Sequence, residues 1–92
     1  MPTEHVLKTL PEYWDAVERG EKTFEVRRDD RGFQRGDTVV LVRLDRYASG
    51  AVFESHRRLR FTIGWILTGG QFGIEPGYVV LALHQEAKHG RE

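Results

Sequence analysis

A chain of 92 residues with no cysteine, and with 14 Lys+Arg against 14 Asp+Glu, excludes a disulfide scaffold, a thiolate zinc site and a protein that coats nucleic acid by bulk charge. Its length fits one domain over residues 1–92, with a core over about 5–85 and a charged tail over 86–92, burying about 60–68% of the unfolded surface. No apolar run approaches the ~20 residues of a membrane helix, and Met1-Pro2-Thr3-Glu4-His5 has no basic-then-apolar leader pattern, so the reading is a cytoplasmic protein with no membrane partner.

Val6 to Leu10 predicts a first strand, and Thr9-Leu10-Pro11-Glu12 a helix start. Proline is tolerated in a first turn, and acids there favour the positive end of the helix dipole. Leu10, Trp14 and Val17 fall at i, i+4 and i+7, which makes one apolar stripe opposite Glu12, Asp15 and Glu18. Gly20 is the expected stop. A helix this short is marginal alone, so its stripe must lean on a sheet.

Lys22 to Arg28 predicts the second strand, with Phe24 and Val26 on one face and Thr23, Glu25 and Arg27 on the other. Opposite charges at i and i+2 on one strand face can form a fixed polar pair. Residues 29–37 form a polar loop in which Phe33 is expected to plug into the core and Asp29-Asp30 to cap or solvate. Thr38 to Leu44 is a third strand, and Val39-Val40-Leu41-Val42 reads as covered on both faces. A hairpin loop follows over Asp45 to Val52. The fourth strand alternates: Leu59, Phe61, Ile63, Trp65 and Leu67 share one face, and Arg58, Arg60, Thr62 and Gly64 the other. Both Trp14 and Trp65 are thereby expected in the core. Thr68 to Gly73 is a glycine-rich loop, with Gln71 expected to face a cleft and Phe72 to cap the sheet. Tyr78 to Gln85 is the last strand, with Val79, Leu81 and Leu83 inward. The order implies an α+β, mainly β protein: a small five-stranded sheet, strongly bent or closed into a barrel, with one short N-terminal helix.

His5-x-Leu7-Lys8, Pro11-Glu12-Tyr13 and Gly20-x-Lys22-Thr23-Phe24-Glu25-Val26-Arg27 resemble the opening of the ASCH domains, in the branch catalogued as DUF3850. Phe33-x-x-Gly36-Asp37 before an apolar strand, and Gly69-Gly70-Gln71-Phe72-Gly73 before Gly77-Tyr78-Val79-Val80-Leu81, are similar to that branch too, so the resemblance covers about residues 5–84. It implies a PUA-like β-barrel with a cleft that receives RNA, a nucleotide or a modified nucleoside. Some ASCH proteins are hydrolases. One group deacetylates a modified cytidine with a Lys, a Thr and a Glu, and others have been proposed as ribonucleases. Lys22 matches the family's lysine and Arg27 its arginine. The amidohydrolase threonine stands three positions after that lysine, where this chain has Glu25.

The candidate ligand-binding residues are therefore His5, Lys8, Lys22, Glu25, Arg27 and Gln71. Lys and Arg hold phosphate or a base carbonyl, and Glu accepts from a base amino group. If the protein is an enzyme, Lys22 and Glu25 are the proton-transfer pair. The competing structural readings are a Glu–Arg pair that orders the sheet, and a His5 that is hydrogen-bonded in place. Arg58 and Arg60 read as a solvated face sooner than a phosphate track. His5, His56, His84 and His89 lack ligand spacing, so neither a metal nor a cofactor is expected. The Gly69–Gly73 loop lacks the Gly-Lys-Ser/Thr ending of a phosphate loop.

Overall fold

The computed structural model describes residues 2–86, so all of the expected tail beyond Glu86 lies outside the described residues. The elements are β1 (Glu4–Thr9), α1 (Pro11–Glu18), β2 (Phe24–Arg28), β3 (Thr38–Arg46), β4 (Val52–Thr68) and β5 (Tyr78–Gln85). They form one five-stranded sheet in the order β1-β3-β4-β5-β2, in which β1 runs parallel to β3 and the other pairs are antiparallel. The protein is mainly β with one short helix, as the sequence pattern implies. The sheet is a curled half-barrel.

The curl follows from connectivity. β1 and β2 are opposite ends of the strand order, yet only α1 and a five-residue link over 19–23 separate them in the chain. A flat sheet of five strands would hold its edges roughly 19 Å apart. Here Arg27 Nη2 on β2 donates to the Lys8 carbonyl at 3.0 Å and to Thr9 Oγ1 at 3.2 Å on β1. Arg31 Nη1, just past β2, donates to the Val6 carbonyl at 3.0 Å.

α1 starts at Pro11, one residue later than Leu10-led periodicity suggests. Leu10 is the N-cap and stays exposed; Pro11 takes its place beside Trp14 and Val17 on the buried side. Trp14 is fully buried and donates its indole N–H to the Leu41 carbonyl at 2.9 Å. The helix ends in a Schellman motif: Glu21 N–H bonds the Ala16 carbonyl and Gly20 N–H the Val17 carbonyl, with Gly20 at φ +81°. This turn sends the chain directly towards β2. Arg43 clamps the helix to β3 by bonding both Asp15 oxygens, at 2.8 and 3.0 Å, and also Asp45. Those bonds hold the Asp15 carboxyl below the usual aspartate range.

Leu7, Trp14, Phe33, Leu41, Ile63, Leu81 and their neighbours make one core on the concave side. Phe33 is buried there, as expected of a loop aromatic. Asp29 caps its loop, accepting from the Gly32 and Phe33 N–H groups. Val40 and Val42 are buried on the other face of β3. Their cross-strand neighbours are Val6, Lys8, Arg58 and Arg60, and long aliphatic stems of this kind shield apolar surface.

Two sequence expectations are corrected. Trp65 is not core: it is 58% exposed. A β-bulge between Ile63 and Trp65 inserts Gly64 opposite β5, where Ile63 faces Leu83 but Trp65 faces Ala82. One extra residue reverses the alternation, so Ile66 packs against the core and Trp65 turns out. A Cβ at 64 would stand 2.2 Å from the exposed His84 ring, so a side chain there would require that ring to move aside. Phe72 does not cap the sheet either: it is 84% exposed with φ +53°. It shares positive φ with Gly73, and Ile74 N–H bonds the Gln71 carbonyl at 2.9 Å, the pattern of a tight primed turn. The aromatic is carried out on the turn tip.

Asp37 ties β1 to the loop before β3. Its Oδ2 accepts from His5 Nε2 at 2.8 Å and from Gln34 N–H at 3.1 Å, and its Oδ1 accepts from Thr3 N–H at 3.1 Å. Burial pushes this carboxyl up, but the three donors outweigh burial and hold it below the ordinary aspartate range. A depressed carboxyl contributes stability above its unfolded pKa and loses it as pH falls through the folded one. The stability gap between the native protein and Asp37→Asn should therefore be widest at neutral pH. It should close as pH drops below about 4. Urea midpoints measured from pH 7 to 2.5 check this, and a gap that stays constant with pH would contradict it.

Candidate functional site

β2 has an inverted pattern for a sheet edge. Phe24 and Val26 are 43% and 50% exposed, while the charged Glu25 between them is 4% exposed. Register explains this. Glu25 is paired with Leu81, whose side chain is fully buried, so Glu25 shares the inward face. An ion turned inward must be compensated. Lys22 Nζ donates to Glu25 Oε2 at 2.5 Å, and Arg27 Nε and Nη2 donate to Oε1 at 3.1 and 2.9 Å. Lys22 also bonds the Phe24 carbonyl at 2.5 Å. Arg27 Nη2 also donates to β1, at the Lys8 carbonyl and Thr9 Oγ1. The Lys22-x-x-Glu25-x-Arg27 spacing thus produces a carboxylate gripped by two cations, and one of those cations fastens the seam between the sheet edges.

That seam holds a cavity of about 430 Å³, within the roughly 300–1,000 Å³ of small-molecule sites. It is lined by Lys8 and Thr9 from β1, Leu10 and Tyr13 around the helix start, and Lys22, Glu25, Val26 and Arg27. A recess of about 160 Å³ lies on the other side of Arg27, against Leu7 and Phe33. The lining of the larger cavity carries three cations, Lys8, Lys22 and Arg27, against the single carboxylate of Glu25. Lys8 is offset in part by Glu54 outside the cavity, at 3.2 Å. The charge balance of the whole chain is zero, so the surplus here is local. Aromatic rings flank the cation: Lys22 Nζ lies 4.9 Å from the Phe24 ring centre and 5.8 Å from that of Tyr13.

Of the six candidate residues, Lys8, Lys22, Glu25 and Arg27 converge on this cavity. His5 does not line it. His5 is buried, bonded to Asp37 and packed on the Phe33 ring at 4.7 Å. Gln71 does not line it either: its amide donates to the Thr68 carbonyl at 2.8 Å within its own loop. The basic stretch of β4 is largely spoken for, since Arg60 pairs with Glu4 and Glu86, and Arg57 with Glu18. No group of three metal-ligating side chains occurs among the described residues, and none of their helices is long and apolar enough to cross a membrane. Thr9 and Tyr13 are lining residues that the sequence reading does not single out. Tyr13 carried a signal, as an aromatic lying off the helix's apolar stripe; Thr9 carried none.

A curled five-stranded sheet whose edge seam forms a cationic cleft defines the class of protein. The chain belongs to the family described as a domain of unknown function, DUF3850, whose model matches residues 4–83. It is also similar to an uncharacterized 12.9 kDa protein in the GpA 3′ region of Escherichia phage P2. The two are 43% identical over 37 residues, which is 40% of this chain and 34% of the phage protein. The match thus spans about a third of that relative's length.

Proposed function

We propose that the seam cleft binds a nucleotide or modified nucleoside, free or as one residue of an RNA strand. The observation that carries this reading is the local cation surplus: Lys22 and Arg27 held at fixed positions by the buried Glu25, in a cavity of about 430 Å³ beside Tyr13 and Phe24. Phosphate suits the ammonium and guanidinium, and a planar base suits the aromatic and apolar wall. Because Glu25 already orients both cations, they need little rearrangement on binding. The resemblance to the ASCH branch of the PUA-like proteins supports the same ligand class.

Binding of 5′-AMP, 5′-CMP and short single-stranded and hairpin RNAs, followed by fluorescence anisotropy or competition, tests the reading. Affinity should fall as salt rises. Lys22→Gln should weaken binding roughly 10-fold or more, the loss of one charge-assisted hydrogen bond. Absence of binding to every one of these ligands at low salt overturns the proposal.

One observation favours a second, catalytic reading: Thr9, Lys22 and Glu25 bring a hydroxyl, an amine and a carboxylate into one cavity. In this reading the protein is a small hydrolase acting on an acylated nucleoside or on RNA, with Lys22 and Glu25 moving the proton. Glu25 has donors on both oxygens, and Thr9 Oγ1 is engaged by Arg27 and by the Leu7 carbonyl, so binding is the leading interpretation. Incubation with N-acylated cytidines and RNA separates the two. Turnover lost in Lys22→Ala supports catalysis; turnover that survives the substitution removes Lys22 from the chemistry.

A further inference from the structure

The outer face of β4, β5 and β2 carries two cross-strand rows of apolar side chains. Trp65, Ala82 and Phe24 are aligned in one row, and Leu67, Val80 and Val26 in the next. All six lie opposite the half-buried Ile66 and the buried Leu81 and Glu25 in the strand alternation. Trp65, Phe24 and Val26 are exposed, and the small Ala82 leaves a shallow floor between the two aromatics. Strand spacing sets the two rings roughly 10 Å apart, wide enough for a separate planar group on each.

Each aromatic on this side has a cation over it. The Arg35 guanidinium lies 4.8 Å from the Trp65 ring centre, Lys22 Nζ 4.9 Å from that of Phe24, and Arg28 5.4 Å from that of Tyr78. Neither Arg28 nor Arg35 pairs with a carboxylate among the described residues. Most other described arginines do, and the two unpaired guanidinium groups on this side lie over the exposed Trp65 and the half-buried Tyr78. An acidic or purely apolar partner would use either the charges or the rings. A strand of unpaired bases on a phosphate backbone uses both.

We infer that this face is a stacking track for single-stranded nucleic acid. Bases lie on Trp65 and Phe24, phosphates face Arg35 and Arg28, and the strand continues over Lys22 into the seam cleft. The inference rests on the cleft reading only for that continuation.

The test uses the full chain and labelled 12-nucleotide RNA and DNA single strands, a duplex of the same sequence, and 5′-CMP. Single strands of either sugar should bind more tightly than the duplex and quench the indole emission of Trp65. Trp65→Ala should weaken oligonucleotide binding about 5- to 100-fold, and Trp65→Phe should restore most of it. Trp65→Ala should leave 5′-CMP affinity within about twofold, since stacking is lost only outside the cleft. If 5′-CMP binds but the oligonucleotide is indifferent to Trp65→Ala, the cleft stands and the track falls. If oligonucleotide binding needs Trp65, while 5′-CMP does not bind and Lys22→Gln leaves oligonucleotide affinity unchanged, the track stands and the cleft reading falls. Equal affinity for duplex overturns the track. So does a Trp65→Ala protein that merely loses self-association in sedimentation, because the face is then a contact between copies.

Discussion

Glu25→Ala is expected to lower stability by about 2–4 kcal/mol. Removing one member of a fully buried charge pair costs roughly 3–5 kcal/mol, because the partners are left uncompensated. Here the Lys22 and Arg27 side chains keep 18% and 25% exposure, so water recovers part of the loss. The remainder is still a large share of the roughly 5–15 kcal/mol that holds a domain together. The deletion also leaves the two cations without their shared carboxylate and frees Arg27 from the geometry in which it reaches Lys8 and Thr9. Urea denaturation measures the effect. Glu25→Gln keeps shape and removes charge, so it should fall between the native protein and the alanine variant. Replacing all three ionic residues by apolar ones of similar volume should recover stability relative to Glu25→Ala. A loss below about 0.5 kcal/mol would class the cluster with ordinary exposed ion pairs and remove its role in closing the sheet.

Trp14→Ala is expected to cost about 3–5 kcal/mol, the range for deleting a buried large aromatic. The indole fills the centre of the core, bonds the Leu41 carbonyl and is covered by the Arg57 guanidinium at 4.8 Å. Its loss acts on more than volume. An eight-residue helix has little stability of its own, so α1 depends on this anchor and on the Arg43 clamp. Amide exchange over 11–18 should accelerate more than exchange in β3 or β4. Leu10 and Tyr13 would lose their places in the cleft wall, so ligand binding should fall with stability. Trp14→Phe, which keeps the ring and drops the N–H donor, should cost only about 1–2 kcal/mol. A Trp14→Ala protein within 1 kcal/mol of native would show that the helix is held by other contacts.

Much of this architecture was legible from local pattern. The apolar run Val39–Val42 declared a buried strand, Pro11 and Gly20 bracketed the helix, and Phe33 alone among charged neighbours marked a core plug. The charged alternation of β2 was visible too. Which of its faces turns inward was not, because that depends on pairing with β5, more than fifty residues away. Trp65 misled for a related reason: period-two alternation is read continuously, and a single inserted glycine reverses it without any break in the apolar sequence. His5 and Gln71 carried the polar chemistry of cleft residues, but their partners decided otherwise. His5 found Asp37 across 32 positions, and Gln71 folded back on Thr68. Polar residues advertise the bonds that they can make, not the partner that reaches them first.

The bonds from Arg27 and Arg31 to the Lys8 and Val6 carbonyls have a consequence for how the protein behaves in a crowd. Those oxygens sit two residues apart on the outer rim of β1, where another chain would add a strand. Guanidinium groups occupy them in place of foreign amides. Strand addition, the first step of edge-to-edge aggregation, is thereby met with a charged, already bonded rim. The arginine that orders the candidate cleft also keeps neighbouring molecules from zipping onto the sheet.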